Sequence, residues 1–294
     1  MNKFTTIIIP SYRSKKLILT HVKRFSKYFK IIIIENSYDI NFKNIVENKY
    51  KNVEIYLKKN IGYGRAVNFA SQKVKTKYFF VMNPDTKIYK NTLNNLINAA
   101  KKIDKFGAIG PIYFDQKKNY KKNSIIKKNK IIAAAMLIDT KTFKKIKGYD
   151  KNFFLYYEDN DYFRKCEILN LKLYQVTNSF IIHKKVKKMK KKELNLHSTT
   201  FSNINEKNNT YYIGGWHGQW SKFYFLKKYN GFIFALFICL PNILLNIIQM
   251  IPYIFFDITK AKYKYHKIEG FVCSVIGLPS FKRSKFDKKY ILNI

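Results

Sequence analysis

Acidic residues are scarce in this 294-residue sequence: 18 Asp and Glu stand against 57 Lys and Arg, a formal net charge of +39. So large a basic surplus points to an anionic partner, whether nucleic acid, acidic lipid or a phosphorylated substrate. Arginine is scarcer still, since Arg13, Arg24, Arg65, Arg164 and Arg283 are the whole set and lysine supplies the rest. A reader of nucleic acid favours arginine, whose planar fork engages phosphates and guanine edges bidentately, and helix-turn-helix and zinc signatures are both missing; nucleic-acid binding is the lesser reading. Cysteine is limited to Cys166, Cys239 and Cys273, widely spaced and without a Cys-x-x-Cys pair. That excludes a disulfide framework or a cysteine-based zinc site and fits a reducing cytoplasm. The apolar run Thr5 to Ile9 is too short for the core of a signal peptide and has no small-residue cleavage site after it. Glycine is absent from Pro10-Ser11-Tyr12-Arg13, which rules out a glycine-rich phosphate loop directly after the first strand.

Aromatic residues, by contrast, are plentiful, with 25 Phe and 23 Tyr, so a packed core is expected rather than disorder. Short β-branched runs at Thr5 to Ile9, Ile31 to Ile34, Val53 to Leu57 and Tyr78 to Met82 alternate with stretches of helical spacing such as Ser14 to Phe29 and Tyr63 to Val74. Strands apolar on both faces and separated by helices predict an α/β unit whose parallel sheet is covered on both sides, with ligands at the carboxyl ends of the strands. Residues 115 to 130, rich in Lys and Asn, read as a solvated loop, and Ile131 to Ile138 as a further strand.

The densest chemistry lies in Phe153-Phe154-Leu155-Tyr156-Tyr157-Glu158-Asp159-Asn160-Asp161, where three carboxylates follow an aromatic run. Desolvated like charges raise one another's pKa, which makes such a cluster a candidate for a catalytic base. Acids in the first turn of a helix, complementing its dipole, produce the same pattern, and the block alone does not separate the two.

Five segments in order resemble glycosyltransferase family 2, of the rhamnosyltransferase-like, non-processive kind. They are Ile7-Ile8-Ile9-Pro10-Ser11-Tyr12; Glu35-Asn36-Ser37, with Glu where the family has Asp; Asn60-Ile61-Gly62-Tyr63-Gly64-Arg65-Ala66-Val67-Asn68; Asn83-Pro84-Asp85; and Gly148 to Asp161, with Tyr149 for Phe. The resemblance spans roughly residues 4 to 225. It implies a GT-A fold, a mixed, mostly parallel central sheet flanked by helices, and transfer of a sugar from a nucleotide-diphosphate donor. It also implies a divalent cation, Mg²⁺ or Mn²⁺, held by Asp85 and helped by His183, with His197 as the alternative. Asp159 becomes the general base with Glu158 beside it, and inversion at the anomeric carbon follows from a single displacement. Pro10, Tyr12, Glu35, Asn36 and Asn83 fall where the family meets the nucleoside and diphosphate, as do Asn60, Gly62, Gly64, Arg65 and Asn68. Asp161 and Arg164 are expected to pair along the following helix. Trp216, His217, Trp220 and Tyr224 either stack on an acceptor or join the two regions of the chain.

A second composition shift comes near residue 231. Phe232 to Ile258 is largely apolar, broken by Pro241 and Pro252, and flanked by Lys227, Lys228, Lys260, Lys262 and Lys264. This pattern suits contact with an anionic membrane surface better than an uninterrupted span, and places the α/β part on the cytoplasmic face. The expected organisation is a catalytic domain over 1–225 and an apolar, basic helical extension over 226–294, acting on a lipid-linked or glycan acceptor at a bacterial inner membrane. A processive polysaccharide synthase is the alternative, although Gln219-Trp220 lacks the Arg-Trp such enzymes carry and only one apolar segment is present.

Overall fold

Each early strand alternates its side chains between two apolar layers, which is why it carries almost no charge. In β1 (Thr5–Ser11), Ile7 and Ile9 join one buried cluster with Ile31 and Ile33 of β2 (Lys30–Glu35) and Phe80 of β4 (Tyr78–Met82). Ile8, Ile32, Ile34, Phe79 and Val81 join the other. The computed structural model describes residues 2–121, 123–183, 204–284 and 287; His197 lies outside them.

Between these strands run α1 (Lys15–Phe25), α2 (Ile40–Lys49), β3 (Val53–Leu57) and α3 (Tyr63–Lys73). After β4 come β5 (Lys87–Ile88), α4 (Thr92–Lys101), β6 (Ala108–Tyr113), a 3₁₀ turn (Phe114–Asn119), β7 (Ile125–Lys128), β8 (Ala135–Asp139), α5 (Thr140–Lys145), α6 (Glu158–Ile168) and β9 (Leu173–Ile182). The strands form one sheet in the order β3-β2-β1-β4-β8-β6-β9-β5, with β7 also on β9. Its first four strands are parallel, while β8 runs antiparallel to β4 and to β6. The sheet is therefore mixed, with its β3-β2-β1-β4 half parallel, as the family resemblance implies.

Two expectations change here. The lysine-rich stretch 115–130 is not wholly loop, because Ile125 to Lys128 pair with Leu173 to Val176. Antiparallel pairing to β9 satisfies its backbone, so lysines on an otherwise exposed edge strand are no obstacle. The strand predicted from Ile131 starts at Ala135, with turn geometry before it.

The chain divides into two compact units, Met1–Tyr149 with Tyr162–Thr200, and Asp150–Asp161 with Phe201–Ile294. Among the described residues the second holds α7 (Ile204–Asn230), α8 (Phe232–Phe256) and α9 (Ile258–Val275), together with the start of α6. The division expected after residue 225 falls inside α7, a continuous helix of 27 residues. Gly231, with φ of 88°, breaks the chain between α7 and α8, and Asp257 caps α9 by accepting from the Lys260 amide at 3.1 Å. Where α7 and α9 cross, a Cβ on Gly270 would collide with the Trp216 carbonyl and one on Gly215 with the Tyr263 ring. Glycine there lets the two backbones approach closely.

Candidate active site

In the first unit, the carboxyl ends of the parallel strands carry the polar residues. Glu35 ends β2 with its side chain fully buried. One carboxylate oxygen accepts from Ser11 Oγ at 2.8 Å, the other from the Ser37 amide at 2.9 Å and from Ser37 Oγ. Burial pushes the carboxyl up, and the Ser37 and Ser11 hydrogen bonds oppose that shift. The extra methylene of Glu relative to Asp is thus spent on locking the β1 and β2 ends together, the Asn36 amide adding a 2.8 Å bond to the Ser11 carbonyl. Asn36 Oδ1 is buried and takes no hydrogen bond from the described residues. Pro10 lies within β1 and Tyr12 directly follows it.

Gly62 precedes α3 with φ of 85° and ψ of 171°, a conformation open to glycine and strained for other residues, and its amide donates to Asn60 Oδ1 at 3.3 Å. Gly64 and Arg65 stand in the first turn of this 11-residue helix, where backbone N–H groups and the dipole favour an anion. Asn68, one turn on, works as a clamp. Its Nδ2 donates to the Tyr149 carbonyl at 2.8 Å and its Oδ1 accepts from the Tyr149 amide at 2.9 Å, fixing the chain 81 positions away.

The Asn83-Pro84-Asp85 turn follows β4. The Asn83 amide donates to the Ala134 carbonyl at 2.9 Å, and the Thr86 amide closes the turn on the Asn83 carbonyl at 3.1 Å. From α1, His21 Nε2 donates to the Pro84 carbonyl at 2.8 Å. Asn83 Oδ1 is buried and receives no hydrogen bond from the described residues. Antiparallel pairing of Lys87 with Ile182 and of Ile88 with Ile181 brings the end of β9 back beside the turn. As a result His183 Nε2 lies 3.3 Å from Asp85 Oδ1, both side chains being partly exposed. Among the described residues no group of three or more His, Cys, Asp or Glu is arranged to hold a metal. The Asp85–His183 pair brings together one hard oxygen and one imidazole nitrogen, two donors of the kind that could hold a divalent cation.

The acidic block belongs to the second unit and is fastened to α7. Phe153 is buried against Tyr224 at a ring separation of 5.0 Å, and Phe154 lies between His217 and the Arg283 guanidinium, 3.6 Å above its ring centre. Ser221 Oγ donates to the Leu155 carbonyl at 2.9 Å. Tyr156 and Tyr157 then both adopt φ of 67°, two successive left-handed residues that turn the chain into α6. Asp161 is fully buried and is held by Lys228 and by Tyr229, whose hydroxyl donates at 2.8 Å. Lys228 Nζ also reaches Asp150 Oδ2 at 2.7 Å, which helps hold the Asp150 carboxyl below its ordinary range against the upward push of burial. Arg164, expected opposite Asp161, bonds Glu167 at 2.6 Å.

Glu158 and Asp159 differ in environment. Glu158 is buried with Oε2 lacking a partner among the described residues, and burial, with Asp159 adding to it, pushes its carboxyl up to about 8. Asp159 is half-buried, and its Oδ1 accepts from the Asn160 amide at 2.8 Å. At neutral pH the adjacent acid is protonated, so Asp159 is not opposed by a second full charge next to it. Trp216, His217 and Trp220 are buried within the second unit, so they are core side chains and do not present a stacking face. Sequence reading missed His21 and Tyr229 and took Lys228 for a lysine flanking the apolar segment; all three act across 63 to 78 positions and carry no local signal.

Among curated proteins none matches the chain by sequence. The family profile described as Glycosyl transferase family 2 matches residues 6–176. Similar solved structures include GalNAc-T7 with UDP, GalNAc and Mn²⁺, at 12% identity and TM-score 0.52, covering 61% of this chain and 43% of that one. The mannosyltransferase PcManGT from Pyrobaculum calidifontis, with GDP-Man and Mn²⁺, aligns at 9% identity and TM-score 0.55 over 92% of this chain and 86% of its own. S. aureus TarS 1-349 with UDP-GlcNAc aligns at 12% and 0.52 over 94% and 92%. The fold is GT-A, and the chain spans less than half of GalNAc-T7.

Proposed function

Because the chain belongs to glycosyl transferase family 2, we propose that it moves one sugar from a nucleotide-diphosphate donor to a lipid-linked or glycan acceptor, with inversion, in bacterial cell-surface polysaccharide assembly. The observation that carries this reading is the Asp85–His183 pair at 3.3 Å, set beside a turn anchored by His21. The solved neighbours described with a nucleotide and Mn²⁺ support the same donor chemistry.

In this reading Tyr12, Glu35 and Asn36 border the nucleoside. The α3 N-terminus, with Asn60, Gly62, Gly64 and Arg65, faces the diphosphate. Asn36 Oδ1 and Asn83 Oδ1, buried without partners among the described residues, are polar atoms that a bound donor would satisfy. A divalent cation held by Asp85 and His183 would supply positive charge to the diphosphate leaving group. The acceptor hydroxyl forms the new bond to the anomeric carbon as the anomeric carbon–phosphate oxygen bond breaks, and its proton passes to the Asp159 carboxylate. The nucleoside diphosphate leaves, and one displacement inverts the configuration.

Calorimetric titration of UDP, dTDP and GDP into the protein, each with and without Mn²⁺, tests the donor site. Binding of one nucleotide that strengthens with Mn²⁺ supports the reading and narrows the sugar. Absence of binding to all three refutes it.

A further inference from the structure

Helix α8 has two unlike faces. Ala235, Cys239, Ile243 and Asn246 form a single buried stripe, with Ala235, Cys239 and Ile243 in a cluster with Phe223 of α7 and Phe271 of α9. The opposite face is apolar and uncovered: Ile233 and Phe237 are 77% exposed, Ile248 65% and Phe255 80%. Uncovered apolar surface on this scale marks an interaction face.

The side of α8 turned toward α7 and α9 also carries a polar ladder, from exposed Asn242 to buried Asn246. Gln219 Nε2 of α7 donates to Asn242 Oδ1 at 3.3 Å. Lys267 Nζ of α9 donates to Asn246 Oδ1 at 3.1 Å, and Lys264 Nζ to Gln249 Oε1 at 2.6 Å. Asn246 sits near the middle of the 25-residue helix, whose length of about 37 Å would otherwise suffice to cross a bilayer. If α8 crossed, the Lys267 ammonium bonded to its centre would be carried to the middle of the hydrocarbon, where charge is strongly disfavoured. Lying flat, α8 puts its apolar side into lipid and keeps the ladder and its lysines on the water side. Lys227, Lys260 and Lys262 stand close in sequence to its two ends and supply positive charge for anionic headgroups.

We infer that α8 is an in-plane docking helix for an anionic phospholipid bilayer, inserted along its length by the face of Ile233, Phe237, Leu244, Ile248 and Phe255, and does not span. The inference serves the proposed reading by bringing the protein to a lipid-linked acceptor, yet its test needs no donor or acceptor.

Ile233, Leu244 and Phe255 are spaced by three turns and share the exposed face, so each takes a cysteine-linked spin label without disturbing the core; Cys166, Cys239 and Cys273 are buried and stay in place. Full-length protein carrying one label at a time is mixed with vesicles of equal parts phosphatidylglycerol and phosphatidylethanolamine, or with phosphatidylcholine vesicles. Binding to the anionic vesicles is expected to be at least about tenfold tighter, given the basic residues near the surface. All three labels are expected at one shallow depth of about 5–10 Å. A label at Leu244 in the bilayer centre, with the other two at opposite headgroup regions, overturns the inference in favour of a span. Failure to bind vesicles overturns it too, with dimerisation in sedimentation assigning the face to a second copy of the chain. Equal binding to both vesicle types removes the anionic partner. Vesicle binding with no nucleotide binding would sink the proposed function and leave this docking face standing.

Discussion

His21 and Pro84, 63 positions apart, are joined by a 2.8 Å hydrogen bond from the imidazole Nε2 to the proline carbonyl. The bond fixes the turn that presents Asp85, and burial lowers the His21 pKa, so the ring is neutral near pH 7 and donates from one nitrogen. His21→Phe keeps the ring packed on Phe25 and removes the donor. A lost net hydrogen bond is worth about 0.5–1.5 kcal/mol, so Mn²⁺-dependent nucleotide affinity should fall by roughly 2- to 10-fold. Metal-free affinity should stay unchanged in the same calorimetric titration, and a parallel loss in both would show only general loosening.

In the proposed mechanism Asp159→Asn removes the proton acceptor, while the residues proposed to border the nucleotide, all in the first unit, are untouched. Turnover should drop by about 10²- to 10⁴-fold while the dissociation constant of the nucleotide holds. Retained turnover would transfer the base role to another residue.

Glu158 makes stability depend on pH in a sign opposite to that of an ordinary surface carboxylate. Its folded carboxyl is pushed up to about 8 from the ordinary 4.5. Between those values the folded protein keeps a proton that the unfolded chain has released, so stability declines as pH rises through the window. The upper limit is about 1.4 kcal/mol per pH unit. Glu158→Gln abolishes this slope, and its melting temperature should climb relative to the parent between pH 5 and pH 8. His217, pushed down to about 3 by burial, destabilises as pH falls below 6.5, but does so in both proteins and cancels in the difference. A difference that is flat with pH would show that Glu158 is ionised in the folded protein.

Gly270→Ala places a methyl against the Trp216 carbonyl, a backbone atom that moves only if α7 or α9 moves. Overpacking of this kind costs about 1–3 kcal/mol. Urea unfolding should show a lower midpoint, whereas Gly231→Ala adds a methyl that meets nothing and acts only through its positive φ.

Strand positions were legible because burial on both faces demands runs such as Ile7-Ile8-Ile9 and Phe79-Phe80-Val81, and few other structures tolerate them. Asp85 was legible because a Pro-Asp turn at a strand end is a local pattern. What placed His183 beside it was not, since the pairing of a two-residue strand with β9 depends on the whole sheet. Glu35 reads in sequence as a ligand contact, and the structure spends both its oxygens on Ser11 and Ser37. The aromatic run before the acids read as a source of desolvation; Phe153 and Phe154 also anchor the segment into the helical unit, a use that requires knowing where Tyr224 and Arg283 lie. Residues 204–225 were read with the α/β part because the composition does not change until 231, although the helix they begin runs on to Asn230.

Lys228 grips Asp150 and Asp161, the first and last residues of the segment that carries Glu158 and Asp159. A single ammonium therefore closes a loop at both mouths, much as a drawstring does, and releasing it lengthens two tethers at once. Loss of Lys228 therefore weakens both ends of the segment together, leaving Asp150 to the Tyr224 hydroxyl and Asp161 to the Tyr229 hydroxyl.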